Sequence, residues 1–218
     1  MKKMTSFFRA GLFCVCSLVC FSCNKNDTVV TPAWNYNTFT DTRDGKVYKS
    51  IKIGTQEWMA ENLSFNSNGS WIYGGSAELG AKYGRLYTWE GANAAIPEGW
   101  HLPTDAEWKV LELSLGMSQA DADNIGGRGT NQGEQLRAVT GWANKGGGTD
   151  NVGFASLPGG FRTNSGDCLV ENWTGYWWTS SESDATDAWF RYIATLNPKV
   201  YRKIGYKLDG YSVRCIKN

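Results

Sequence analysis

Residues of the types that support catalysis are sparse in this chain. His101 is its one histidine, which excludes sites that need two imidazoles, such as the zinc-binding HExxH motif. No nucleophile or carboxylate is signalled next to His101 as a partner, so we interpret it as a structural imidazole that fixes a turn. The acids Glu57, Glu61 and Glu90 form no recognisable pair for glycoside hydrolysis. We therefore predict no catalytic residue.

Metal and phosphate sites are also poorly supported. The segment from Asp121 begins like an EF-hand calcium loop, but positions five and twelve of that loop are Ile125 and Gln132. The side-chain oxygen ligand at position five and the carboxylate ligand at position twelve are therefore missing. The glycine-rich segments Gly127–Gly129 and Gly146–Gly148 lack the strand-loop-helix context of a phosphate site. We interpret them as loops, and we expect neither a metal ion nor a cofactor.

Aromatic side chains are the better candidates for ligand binding, because a flat ring covers the apolar face of a sugar and also forms hot spots for proteins. The alternative is that they pack in the core. Trp177 and Trp178 are neighbours on a predicted strand and should point to opposite faces, so at most one is fully buried unless both faces are covered. The ligand-surface candidates are Trp71, Tyr73, Trp173, Trp177 and Trp178.

The first residues of the chain resemble a bacterial lipoprotein signal peptide, which we assign to residues 1–22. A basic start precedes the twelve-residue apolar run Ala10–Phe21, which is shorter than the roughly 20 residues needed to span a bilayer. Cys23 follows the small residue Ser22 and is the predicted site of lipidation. Cleavage by an ordinary signal peptidase, with Cys23 unmodified, is the alternative.

The remaining chain divides into a polar tether, residues 23–40, and one domain, residues 41–218. Removing residues 1–22, which carry three basic side chains and no acid, lowers the length from 218 to 196 and the formal net charge from +1 to −2. This charge gives no reason to expect nucleic acid as a partner. We expect an outer-membrane lipoprotein of the cell envelope, periplasmic or surface-exposed, that contacts the membrane through its lipid anchor.

Local signals in the domain indicate an α+β fold of antiparallel strands. Tight turns at Asp44-Gly45 and Gly54-Thr55 predict an early meander, and residues 66–80 are rich in Asn, Ser and Gly and predict a loop. A capping box from Thr104 to Glu107 predicts the start of the central helix. The last third of the domain is rich in aromatic and β-branched residues and predicts further strands, ending with Tyr211–Ile216.

Several motifs then occur in a specific order from about Asp41 to Asn218. This order resembles that of the Fibrobacter succinogenes major paralogous domain, a family of secreted and lipid-anchored proteins largely from Bacteroidetes and Fibrobacteres. The motifs are Asp44–Tyr48, Gln56–Leu63, Tyr83–Trp89, Gly153–Arg162, Tyr176–Ser181, Gly210–Cys215 and a structural motif that includes Gly99, Trp100, His101, Leu102, Pro103, Thr104, Glu107 and Trp108.

The resemblance implies a C-type-lectin-like fold with two or three short helices and long loops, related to the domain of formylglycine-generating enzymes. The tripeptides of calcium-binding C-type lectins are missing, which argues against a calcium-dependent sugar site. Family members often have a cysteine at the position of Ile96, as a partner for the one in the final strand. The resemblance therefore implies more about fold and location than about activity.

Cys168 and Cys215 are the two cysteines of the domain and are candidates for a disulfide in an oxidising compartment. Two unpaired thiols are the alternative, with Cys215 left unpaired because Ile96 replaces its family partner.

Three functional hypotheses follow. The first, which we favour, is a non-catalytic surface module that binds a glycan or another protein. The second is an oxidoreductase like the formylglycine-generating enzymes, although those use a pair of reactive cysteines. The third is a structural component of a surface layer or fimbria.

Overall fold

A computed structural model describes residues 31–218 of the protein. The predicted signal peptide and the predicted lipidation site Cys23 lie outside the described residues. Antiparallel strands and short helices alternate along the chain, so the α+β class is confirmed. The described residues form five α-helices, whereas the sequence predicted two or three. None of these helices has the length and apolar character needed to cross a membrane.

The elements are short and are connected by long irregular segments. The strands are β1 Asn37–Thr40, β2 Val47–Ile53, β3 Gln56–Met59, β4 Ser70–Trp71, β5 Leu86–Tyr87, β6 Trp100–His101, β7 Gly126–Arg128, β8 Phe161–Arg162, β9 Cys168–Leu169, β10 Thr174–Glu182, β11 Asp187–Ala194, β12 Val200–Tyr206 and β13 Ile216–Lys217. The α-helices are α1 Ala77–Tyr83, α2 Trp89–Ala94, α3 Asp105–Ser114, α4 Gln119–Asp123 and α5 Gln132–Leu136.

The first sheet joins the two ends of the described chain, in the order β1-β2-β3-β13-β6. The predicted two-residue turn at Gly54-Thr55 is present, and Gly54 takes the positive φ of +59° that this turn requires. The tight turn predicted at Asp44-Gly45 is longer than the predicted two residues. Six residues, Asp41–Lys46, connect β1 to β2, because the Asp41 carboxylate and backbone organise a wider loop around Arg43 and Gly45.

The second sheet has the order β10-β11-β12-β7, also with antiparallel pairs. The segment before β13 runs between the two sheets instead of forming the predicted continuous strand. Its backbone accepts hydrogen bonds from Met59 and Leu63 on one side, and Ser212 bonds to β10 on the other. Only Ile216 and Lys217 pair as a strand, because the preceding residues satisfy their backbone groups with two different partners.

Two hydrophobic clusters fill the space around these sheets. One surrounds Trp58, Trp108 and Phe154, and the other surrounds Tyr87 and Tyr211. Trp177 belongs to the first cluster and its neighbour Trp178 to the second. Both faces of β10 are therefore covered.

Charged side chains also attach helix α3 to the second sheet. Asp105 contacts Arg191 and Arg202, while Glu112 contacts Arg191 and Arg128, at distances from 2.7 to 2.8 Å. All five side chains are buried or nearly so. We call this group the buried ion cluster. Because every carboxylate has at least two guanidinium partners, the cost of burying the charges is offset by paired contacts.

Several boundaries differ from the sequence predictions. The predicted loop 66–80 contains β4 and the start of α1, which Ser76 caps by accepting a hydrogen bond from the Leu79 backbone. Helix α4 was not predicted, although Ser118 caps it in the same way. Strand β1 lies inside the predicted tether, because pairing with β2 orders residues that lack a clear periodic pattern of their own.

Candidate functional site

An open cleft of about 360 Å³ lies where two short strand pairs approach each other. The pair β4–β5 contributes Trp71, and the pair β8–β9 contributes Arg162 opposite Cys168. The complete lining consists of Ser70, Trp71, Ile72, Gly74, Gly75, Arg85, Arg162, Gly166 and Cys168. We refer to this site as the Trp71–Arg162 cleft.

Hydrogen bonds from backbone N–H groups to side chains join the two chain segments that form the cleft. The Gly74 N–H donates to the Cys168 sulfur at 3.3 Å, and the Glu171 N–H donates to the Tyr73 hydroxyl at 3.4 Å. These segments contain the predicted ligand-surface candidates Trp71, Tyr73 and Trp173. Almost 100 residues separate them in the chain, so their contact is a property of the tertiary structure.

Two arginines give the cleft its charge. The guanidinium of Arg162 lies over the Trp71 ring, 4.0 Å from its centroid, and its Nη1 donates to the Thr163 carbonyl at 3.2 Å. Arg85 donates from Nε to the Ser70 hydroxyl at 2.9 Å and from Nη2 to the Ser70 carbonyl at 3.1 Å. Among residues 31–218, neither arginine has a carboxylate within ion-pair distance.

Exposed apolar side chains follow Cys168 in the chain. Leu169 is 42% exposed, Val170 41% and Trp173 45%. Val170 has a φ of +56°, which is a strained conformation for a β-branched residue. Strain of this kind persists where the surrounding structure imposes it, and it concentrates at binding sites and active sites.

The predicted ligand-surface residues divide into two groups. Trp71 and Tyr73 are half-buried at the contact between the two segments, and Trp173 is exposed. Trp177 and Trp178 are fully buried, so their assignment to a ligand surface is wrong. The physical reason is that both faces of β10 are covered.

Both buried indoles have hydrogen-bond partners in the core. The Trp177 indole donates to Oδ1 of Asn62 at 2.9 Å, and the Trp178 indole donates to the Tyr87 carbonyl at 2.7 Å. No polar group of these side chains is left to bind a ligand.

Cys168 and Cys215 are not bonded to each other, and within the described residues each is a free thiol. The structure therefore does not support the candidate disulfide. Cys215 is enclosed in the cluster around Tyr87 and Tyr211, and burial raises the pKa of its thiol. Cys168 instead borders the cleft and accepts the Gly74 hydrogen bond, so tertiary packing places the two sulfurs in different environments.

The structural motif forms a second, separate contact. His101 bonds through Nδ1 to Asn218 at 2.7 Å and through Nε2 to Glu107 at 2.8 Å. Glu107 also accepts hydrogen bonds from the backbone and hydroxyl of Thr104, which completes the predicted capping box. Burial alone would raise the pKa of Glu107, but the hydrogen bonds from Thr104 and His101 outweigh it and lower that pKa.

The other motif residues fix this contact in place. Trp100, Leu102, Pro103 and Trp108 are buried, and Gly99 takes a φ of +79° in the turn before β6. The motif thereby joins the last residue of the chain to the first turn of α3.

Metal-ligating side chains do not converge in the part of the chain that the structure describes. No three His, Cys, Asp or Glu residues there are placed so that they could hold a metal ion together.

A comparison with protein family models shows which family the chain belongs to. Residues 51–217 match the family model of the Fibrobacter succinogenes major domain. The chain belongs to this family. The match begins inside β2 and includes every residue that lines the Trp71–Arg162 cleft. No curated protein matches the chain, and no solved structure matches it.

The sequence reasoning missed Arg85 and Arg162 as site residues. Both stand in motifs of the Fibrobacter succinogenes major domain, at Tyr83–Trp89 and Gly153–Arg162. The motifs were visible, but a lone arginine in each gave no sign that the two would share one cleft.

Proposed function

We propose that this member of the Fibrobacter succinogenes major domain family is a non-catalytic binding module of the cell envelope. It binds a glycan or a surface protein. The Trp71–Arg162 cleft carries this proposal, because it combines an aromatic wall with hydrogen-bond donors in an open concave site. The exposed apolar side chains of Leu169, Val170 and Trp173 extend the same segment, and exposed apolar patches mark interaction sites.

Several contacts argue against catalysis. His101 bonds through its two ring nitrogens to Asn218 and to Glu107, so the imidazole is held between the last residue and the capping box, in agreement with a structural role. Chemistry like that of the formylglycine-generating enzymes needs reactive cysteines. Cys215 is enclosed, and its raised pKa disfavours the reactive thiolate.

The family resemblance also supports a C-type-lectin-like fold for this domain. Short helices, two antiparallel sheets and long connections agree with that proposal. The cleft is formed by two of the short strand pairs rather than by the main sheets. Residues in such peripheral segments can change the ligand that a binding module accepts without altering its core.

We further propose that lipidated Cys23 holds the domain at the outer membrane. The basic start, the apolar run and Ser22 before Cys23 support the anchor. Trp34 donates from its indole to the Asp150 carbonyl at 3.0 Å, so contacts with the domain begin there. Eleven peptide links separate Cys23 from Trp34, so the domain could stand at most roughly 35–40 Å from the lipid if this segment were fully extended.

The test is binding of the full-length protein, solubilised in a neutral detergent, to a glycan array and to envelope proteins. Trp173→Ala should weaken binding by at least about 2 kcal/mol and leave the melting temperature nearly unchanged, because Trp173 is exposed. Tyr206→Ala is the matched control, since Tyr206 is an exposed aromatic residue on β12, outside the segment 168–173 that borders the cleft and carries its exposed apolar side chains. Binding that survives Trp173→Ala and Trp71→Ala would contradict the proposed site.

A further inference from the structure

We propose that the ligand of the Trp71–Arg162 cleft is an acidic glycan, with a carboxylate or sulfate group seated between Arg85 and Arg162. This inference rests on the proposed binding function and names the chemical class of its ligand. The starting observation is that two guanidiniums line one cleft and neither pairs with a carboxylate of the described residues.

The other arginines of the described chain differ from this pair. Arg43 is paired with Asp41, and the three arginines of the buried ion cluster are paired with carboxylates. Arg137 and Arg214 are buried and donate to backbone carbonyls. Arg85 and Arg162 are half-buried at an open surface, so their positive charge is presented to a ligand rather than used within the fold.

Several donors in the cleft remain free. Arg85 donates to Ser70 from Nε and Nη2, so its Nη1 has no protein acceptor in the described residues. Arg162 donates to Thr163 from Nη1, so its Nε and Nη2 have no protein acceptor there either. Gly166 keeps one of these donors open, because a Cβ at that position would lie 3.1 Å from Nη2 of Arg162.

Both guanidiniums are held before any ligand arrives. Arg162 is stacked on the Trp71 ring, and Arg85 is fixed by two hydrogen bonds to Ser70. The free Nε and Nη2 of Arg162 can donate two parallel hydrogen bonds to a carboxylate or sulfate group, and Nη1 of Arg85 can donate a further one. Preorganisation lowers the entropy that binding must overcome.

No acid of the described residues forms an ion pair with either arginine. The Asp167 carboxylate accepts a hydrogen bond from the Ser165 hydroxyl at 3.2 Å, and Asp209 accepts one from the Asn164 backbone at 2.9 Å. The cleft also contains apolar surface on Trp71 and Ile72, next to the free donors. A sugar ring with an acidic substituent presents both an apolar face and an anionic group, which matches this combination.

The test is titration of the full-length protein in neutral detergent with a trisaccharide of galacturonic acid, a sulfated trisaccharide of galactose and the neutral trisaccharide of galactose. We expect the acidic trisaccharides to bind at least about tenfold more tightly than the neutral one, and their affinity to fall as salt is raised. Arg162→Gln should weaken that binding by at least about tenfold, and Arg85→Gln is the second variant if the first lowers the melting temperature. Lys203→Gln is the control, because it removes the same charge from an exposed position outside the cleft.

Three results would overturn the inference. They are equal affinity for the neutral trisaccharide, no measurable binding of either acidic trisaccharide, and equal losses in Arg162→Gln and Lys203→Gln. Binding of hexaglutamate as tight as that of the acidic sugars would overturn the assignment to a glycan. These results do not test the proposed binding function itself. That proposal is tested by whether Trp173→Ala weakens binding to any glycan or envelope protein.

Discussion

Inside the protein, Nε of Arg191 donates to Oε1 of Glu112 at a distance of 2.8 Å, and neither side chain is exposed to solvent. This contact joins β11 to α3 and forms the centre of the buried ion cluster. The cluster holds three guanidiniums and two carboxylates, so the two acids are the scarcer charges. The stability of the domain should therefore be more sensitive to the loss of an acid than to the loss of an arginine.

We predict that Glu112→Gln lowers the free energy of unfolding by about 3–5 kcal/mol, because it leaves three buried guanidiniums with Asp105 alone. Arg191→Met should cost less, since two guanidiniums and two carboxylates then remain. Urea unfolding of both variants measures the difference. A larger loss for Arg191→Met would show that charge balance does not govern this cluster.

The same cluster predicts the response to acid. Burial would raise the pKa of Asp105, but hydrogen bonds and charges from Arg202 and Arg191 outweigh it and lower that pKa to about 2, from the ordinary 3.8. Because the folded pKa is depressed, the stabilisation is complete above about pH 4 and is lost as the pH falls towards about 2. It amounts to about 2 kcal/mol.

Urea unfolding at a series of pH values across this window checks the prediction. Asp105→Asn should be less stable at neutral pH and should lose less additional stability on acidification. Asp44→Asn is the control, because Asp44 is exposed in the loop between β1 and β2. An acid response that is the same in Asp105→Asn and the unmodified protein would contradict the assignment.

The helix cap gives a third prediction. Thr104 accepts a hydrogen bond from the Glu107 backbone, so Thr104→Ala should lower the free energy of unfolding by about 1 kcal/mol. Thr42→Ala, in an exposed turn, should have little effect. Chemical denaturation compares the two variants, and equal stabilities would argue against the cap as a stabilising contact.

The two thiols of the domain should differ in reactivity. Cys168 borders the cleft and should be alkylated by iodoacetamide in the folded protein, whereas enclosed Cys215 should react only after unfolding. Mass spectrometry of the separate peptides distinguishes them from each other and from the cysteines of residues 1–23. Protection of both residues in the unfolded, unreduced protein would instead reveal a disulfide.

The proposed lipid anchor predicts a change of cell fraction. Cys23→Ala should release the protein from the membrane and abolish labelling by a palmitate analogue. Cys20→Ala is the matched control, because Cys20 follows the larger residue Val19 and is the poorer lipidation site. Unchanged labelling of Cys23→Ala would exclude Cys23 as the anchor.

Local chemistry in the sequence was enough to predict several elements of this fold. The capping box of Thr104 and Glu107 and the Gly54-Thr55 turn are both present, because each depends on residues only a few positions apart. The ordered motifs were sufficient to predict the family, which the match over residues 51–217 confirms. Short elements with weak local signals, such as α4 and β1, were missed.

Only the tertiary structure decided which side chains reach the surface. Strand alternation correctly placed Trp177 and Trp178 on opposite faces, but it contains no information on what covers each face. In the same way, Arg85 and Arg162 become one site because two short strand pairs, distant in the chain, pack together. Burial and convergence depend on long-range packing, whereas the patterns that a sequence shows directly extend over only a few residues.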